Sequence, residues 1–206
     1  MRNNLYKVII IIALLTCNCC TTSTTHPRLP DIPIEDFQAA DIVFRLGRTV
    51  ESNLIASSGD GLKSYSHVGV IVNHNDSLKV IHIEPNPNDE FDIIKQESLH
   101  DFFSVDKSLS GCVMRMRDIS VEKCNTVQDN ALRLFNSRIT FDYEYILSDS
   151  SSMYCTELVE YVFKSVDISL SHGATHKLPF VQEHYNSNSA TCCVIADSSI
   201  CGWSIM

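Results

Sequence analysis

An α+β fold is what this sequence predicts, and three observations predict it. Two runs of β-branched residues, Val68 to Val72 and Leu78 to Ile83, flank Asn73-His74-Asn75-Asp76-Ser77, as a β-hairpin would. Two shorter apolar runs, Asp41-Ile42-Val43-Phe44 and Cys112 to Met116, supply further strands. Two segments have helical spacing: Val121 to Phe135, and Cys155, Leu158, Val159, Val162, Phe163 and Val166 at i, i+3, i+4, i+7, i+8 and i+11.

Taken from the N-terminus, residues 1–16 have signal-peptide anatomy. Arg2 and Lys7 flank a short n-region, Val8 to Leu15 is uninterruptedly apolar, and the polar stretch Thr21 to Thr25 follows. That run is too short to span a membrane. Leu14-Leu15-Thr16-Cys17 resembles the lipobox of bacterial lipoproteins, with threonine where a smaller residue is usual. The expectation is export to a bacterial cell envelope, with Cys17 lipidated and the membrane held through that anchor. Residues 17–33 then form anchor and tether, and the three prolines between His26 and Pro33 favour extended chain. A single catalytic domain is expected over 34–206.

Within that domain the polar stretch Glu51 to Ser64 reads as a helix turn or a loop. The serine cluster Ser148 to Ser152 offers N-caps for the last helix. Everything after Val166, with Pro179 and many serines and asparagines, reads as irregular.

Composition excludes some functions. A formal net charge of −9 with scattered Lys and Arg argues against nucleic acid, whose phosphates need cationic neutralisation. There is no internal repeat and no glycine-rich phosphate loop. Beyond the leader, Cys112, Cys124, Cys155, Cys192, Cys193 and Cys201 show no C-x-x-C spacing, so neither a metal nor any other cofactor is expected. Disulfides are open to an exported chain, and their connectivity is not legible.

The chemistry-bearing residues are Cys155 and His67. A thiol opening a helix faces unpaired backbone N–H groups and the positive end of the helix dipole, which favour thiolate. In the hairpin, pairing Val72 with Lys79 and Val70 with Ile81 brings His67 opposite Glu84, on one face and about 4.5–5.5 Å apart at Cβ. A one-residue slip would separate them. Singly, Cys155 is most simply a small buried side chain, His67 a structural histidine, and Glu84, before Pro85, a strand end. Jointly they read as nucleophile, general base and orienting acid, with the Cys155 N–H helping to bind an oxyanion. Weaker candidates are His82, across from Gly69; Glu157, near the nucleophile; Asp41, opening the first strand; and Tyr65, before the histidine. A turn-forming role explains Asp41 equally well, and for His82, Glu157 and Tyr65 the structural reading is the favoured one.

Asp41-Ile42-Val43-Phe44, Ser66-His67-Val68-Gly69-Val70, Ile83-Glu84, Phe141-Asp142-Tyr143 and Tyr154-Cys155-Thr156-Glu157-Leu158 together resemble the permuted papain-like cysteine amidases, the YiiX/YaeF-like branch of the NlpC superfamily. In that branch the histidine strand precedes the cysteine helix. The resemblance spans roughly residues 38 to 166. It implies a small antiparallel sheet or open barrel packed against helices, with Cys155 as nucleophile, His67 as base and Glu84 orienting the imidazole. Thr156 replaces the commoner serine, and Ala40 stands where glycine usually precedes the aspartate. The implied activity is cysteine hydrolysis of peptide or cell-wall-type amides through a thioester. An acyltransferase or lipid esterase on the same fold, and a non-catalytic envelope binding module, are the alternatives.

Overall fold

The computed structural model describes residues 34–57, 65–85, 92–145 and 151–172, and the backbone strands 175–177, 191–193 and 200–205. The expected signal peptide, Cys17 and the tether lie outside these residues. The chain passes through a 3₁₀ turn (Ile34–Asp36), β1 (Ile42–Gly47), α1 (Val50–Ser57), β2 (His67–His74), β3 (Ser77–His82), β4 (Lys95–Ser98), α2 (Leu99–Phe102) and β5 (Ser108–Met116). It continues through α3 (Val121–Asn136), β6 (Thr140–Phe141), β7 (Ser152–Met153), α4 (Cys155–Lys164), β8 (Thr175–Lys177), β9 (Thr191–Cys193) and β10 (Ile200–Ile205).

Asn75 and Asp76 join β2 to β3 with φ of 54° and 58°. Two positive φ values in a two-residue loop match the right-handed twist of the strands, and Asn and Asp tolerate that conformation. The tight turn fixes the register: Val72 pairs with Lys79 and Val70 with Ile81, as the sequence arithmetic requires. The main sheet is antiparallel in every observed pair, in the order β10-β5-β1-β2-β3-β4.

Several elements escaped sequence reasoning, β4 and β10 among them. β4 is Lys-Gln-Glu-Ser and has no apolar alternation, so only its pairing with β3 reveals it. At the other edge, β10 lies in the segment read as irregular, and it pairs with β5 from Ile200↔Met116 to Ile205↔Gly111. That expectation is corrected here, because the partner is far away in sequence. The serine cluster is also not the cap of α4: Ser152 belongs to β7, and the N-cap is Tyr154, without a side-chain cap bond.

Strand alternation divides the interior into two cores. On one face Ile42, Val68, Val70, Val72, Ile81 and Ile83 pack against Val127 and Ala131 of α3 and Leu158, Val159, Val162 and Phe163 of α4. On the other, Val43, Ile71, Val80 and Val113 pack against Leu99 and Phe102 of α2, with Phe103 and Phe37. Ala40, the residue found where the resemblance has glycine, takes φ 69°, a left-handed conformation costing alanine roughly 1–2 kcal/mol. Among the described residues no helix is long and apolar enough to cross a membrane.

The chain leaving α4 is tied back by Glu160, which is 5% exposed. Its carboxylate accepts hydrogen bonds from Leu170 N–H (2.9 Å), Ser171 N–H (3.0 Å) and Ser169 Oγ (2.8 Å). Burial pushes this carboxyl up, yet those donors and Lys164 outweigh burial and hold it below the ordinary range. Glu160→Ala should therefore cost about 2 kcal/mol by leaving buried N–H groups without an acceptor, read as a lower urea midpoint at pH 7.

Candidate active site

β1 contributes the residue that organises the site. Arg45, 4% exposed, is opposite His67 in the β1–β2 register, so their side chains share the face lined by Phe102. A buried guanidinium needs acceptors, and it has them. Nη1 donates to Phe102 O at 2.9 Å and lies 3.6 Å from Glu97 Oε1; Nη2 donates to Glu84 Oε2. The guanidinium carbon also sits 4.6 Å from the centre of the Phe102 ring, within cation–π range.

His67 stacks on Phe102 at 5.7 Å, while His82 meets both rings edge-on. The expected acid, Glu84, does stand beside His67: its Oε2 is 3.7 Å from His67 Nε2. The closer partner of that nitrogen is His82 Nδ1, at 2.9 Å. His82 Nε2 in turn stands 2.8 Å from Glu97 Oε1. Lys107 donates to the other Glu97 oxygen, and Lys95 Nζ lies 3.8 Å from Glu84 Oε1. His82, reckoned a weak candidate, is thus central.

Gly69 makes that arrangement possible. It pairs directly with His82, and a Cβ there would lie 2.7 Å from Val80 Cγ1 and 3.0 Å from His82 Cβ. Without it, His82 has room to lean over Gly69 toward His67.

Electrostatics follow from burial among cations. Desolvation, then Arg45, His82, Lys95 and Lys107, hold the His67 pKa well below the ordinary histidine value. Burial alone would raise the Glu97 carboxyl, but hydrogen bonds and charge from His82 and Lys107 bring it down to about 2. Burial among these cations thus disfavours the charged form of His67, while Glu97, beside His82 and Lys107, is held as a carboxylate.

Cys155 is the first residue of α4, half-buried, and packs against the core on the opposite face from the His67 ring. Its place along the sheet follows from the backbone. β7 pairs with β6, Phe141 N–H donates to Asp92 O at 2.6 Å and Ile94 N–H to Ile139 O at 2.8 Å, and residues 92–94 lead into β4, where Lys95 pairs with His82. The start of α4 is thereby fastened at the end of the sheet that carries His82, Glu84 and His67. Its far end lies by Met116, where Asp167 and Ile168 line an open groove.

Of the remaining candidates, Asp41 separates from this cluster. Asp41 is fully buried at the other end of β1, where it accepts from Arg115 Nε (2.7 Å), Arg115 Nη2 (2.8 Å) and Gln38 N–H (2.9 Å). That is a structural anchor. Tyr65 packs its ring 5.8 Å from Phe44. Glu157 is half-buried in the first turn of α4. Arg45 and Glu97 went unread, although a lone arginine inside the apolar run Ile42-Val43-Phe44-Arg45-Leu46 was a usable signal for the first.

An antiparallel sheet backed by a cysteine-bearing helix, with the histidine strand earlier in the chain, defines a permuted papain-like protein. Residues 36–193 match the model of the permuted papain-like amidase enzymes of the YaeF/YiiX, C92 family, and this chain belongs to that family of amide-bond hydrolases. The crystal structure of metalloprotein yiiX from Escherichia coli O157:H7 is similar, with a TM-score of 0.65 at 19% identity, covering 82% of this chain and 97% of that one. No curated protein matches the chain.

Two outcomes are expected. Gly69→Ala should lower stability by about 1–3 kcal/mol through overpacking against Val80 and His82, measured by urea denaturation. Because the folded pKa of His67 is depressed, the unfolded chain takes up that proton first as pH falls below about 6.5. The stability His67 contributes is complete above that pH and is lost on acidification toward the folded pKa. His67→Gln should flatten this part of the slope, seen in urea midpoints compared between pH 7.5 and 5.

Proposed function

We propose that this chain is a cysteine amidase acting at the cell envelope, with Cys155 as nucleophile and His67 as general base. The observation that carries this reading is the buried imidazole of His67, its charged form disfavoured, at the same end of the sheet as the N-terminus of α4. The Cys155 sulfur attacks the amide carbon while His67 takes the thiol proton. The tetrahedral oxyanion is met by backbone N–H at the helix start. Collapse expels the amine, which leaves with the proton from His67, and a thioester remains on Cys155. Water then attacks the thioester, losing a proton to His67, and the acid departs as the thiol re-forms. Glu84, 3.7 Å from the imidazole, stabilises the transient imidazolium. The leader, with Cys17, supports a membrane-anchored envelope enzyme and short cell-wall-type peptides as substrates.

The yiiX neighbour is described as a metalloprotein, and ligand atoms of His67, His82 and Glu84 here lie within 4.8 Å of one another. The residues nevertheless fit a divalent ion poorly. Arg45 already occupies Glu84, the two imidazoles bond to each other, and a metal would meet a buried guanidinium. They fit proton transfer better.

Iodoacetamide labelling of Cys155 against pH, read by peptide mass mapping, tests the proposal. Wild-type protein should label rapidly below pH 8, the lower side of the ordinary thiol pKa of about 8.5, and His67→Ala should lose that reactivity. Slow labelling that rises only near the ordinary thiol pKa, unchanged by the variant, favours the binding-module reading. EDTA should leave both the labelling rate and any amidase activity unchanged; a loss restored by Zn²⁺ would assign the His67–His82–Glu84 triangle to a metal.

A further inference from the structure

We infer that Lys95 is a substrate-binding residue that holds a carboxylate of the substrate beside Cys155, so that the amides this chain takes carry a negative charge close to the scissile bond. This deepens the proposal above and rests on its assignment of Cys155 as the nucleophile. Register places Lys95 first. It opens β4 directly opposite His82, and strand alternation puts it on the face that carries His82, Glu97 and His67. The residues just before it are those that fasten the start of α4: Ile94 N–H donates to Ile139 O, and Asp92 O accepts from Phe141 N–H. Lys95 thus stands where the histidine face of the sheet approaches the cysteine helix.

What sets Lys95 apart is a charge that its surroundings leave incompletely matched. Arg45 directs its donors to Phe102 O, Glu84 and Glu97, and Lys107 donates to Glu97. Among the described residues Lys95 Nζ has one acid in ion-pair contact, Glu84 Oε1, and at 3.8 Å that contact is longer than a hydrogen bond. Glu84 is itself bound by Arg45. An ammonium has three donors, and with the Lys95 side chain 25% exposed they are within reach of a ligand from solvent. Arg45, Lys95 and Lys107 face the carboxylates Glu84 and Glu97, so this cluster has an excess of positive charge whatever the protonation of His67 and His82, in a chain of formal net charge −9. On the α4 side the acids are Asp92, Asp142 and Glu157; the first two are engaged by the Tyr143 hydroxyl and by Glu144 N–H. A substrate carboxylate would complete the hydrogen bonding of the ammonium and offset the excess charge. A short peptide with a free C-terminal carboxylate is one such substrate.

Two alkylating reagents of nearly equal size, anionic iodoacetate and neutral iodoacetamide, read this charge at the sulfur. On the full-length protein at pH 7, peptide mass mapping of Cys155 gives the ratio of the two labelling rates, set against the same ratio for a cysteine in a short neutral peptide. The wild-type ratio should exceed that of the peptide. Lys95→Met should lower it by about fivefold, as loss of one unit charge close to the reagent requires, and Lys95→Arg should keep it. Raising the salt from about 0.01 M to about 1 M should carry the wild-type ratio toward that of the peptide, because the Debye length falls from about 30 Å to about 3 Å. A wild-type ratio at or below the peptide's, or one that Lys95→Met leaves unchanged, would overturn the inference. Should Lys95→Met fail to fold, Lys95→Gln and the salt dependence of the wild type decide in the same way. Iodoacetamide labelling that ignores His67→Ala would remove the base reading, whereas the ratio, from which the reactivity of the sulfur cancels, still reports on Lys95, so the two failures are distinct.

Discussion

The pairing of β2 with β3 is the constraint on which the site depends. Asn75 and Asp76 close the hairpin in two residues, and that turn permits one register. In it, His67, His82 and Glu84 share a face, while Val68, Val70, Ile81 and Ile83 fill the core beneath the helices. Because side chains alternate with period two, a one-residue slip of β3 would move His82 and Glu84 into the helix-facing core and bring apolar side chains to His67. The hydrophobic cost of exposing or misplacing Ile81 and Ile83 therefore protects the geometry of the candidate site as well as the fold.

Upon that register stands a compact set of buried charges. Arg45 reaches Glu84, Glu97 and the Phe102 carbonyl from a single position, so β1, the segment after β3, β4 and the end of α2 are tied together. Burying a guanidinium costs energy unless its donors are used, and three acceptors from different elements use them here. After burial, the same cation is the largest cause that disfavours protonation of His67, which suits the base proposed for it. Stability and chemistry draw on one interaction.

Cys155 and His67 come from opposite faces of the sheet yet share one end of it. The helix start is held by β6 and β7, which continue the edge beyond β4, and the imidazole is held by the chain of His82 and Glu97. Their common location is a product of several long-range pairings, from Arg45 with His67 in the β1–β2 register to Lys95 with His82 and the tie of residues 92–94 to β6. The proposed nucleophile on a rigid helix and the proposed base on a central strand are both positioned by the scaffold rather than by loops.

The sequence by itself determined the hairpin and its register, the two long helices, the helix-start location of Cys155 and the strand-start location of His67, because each rests on local periodicity and turn chemistry. The family resemblance was legible for the same reason: its motifs are short and contiguous. Only the tertiary structure decided that His82, rather than Glu84, makes the close contact with His67, since that depends on the missing Cβ of Gly69 and on Arg45 claiming Glu84. Asp41, equally visible as a candidate, proved an anchor for Arg115 at the far end of β1. Glu97 and β10 were beyond sequence reasoning, because a polar edge strand and a distant terminal strand acquire meaning only from the partners they pair with.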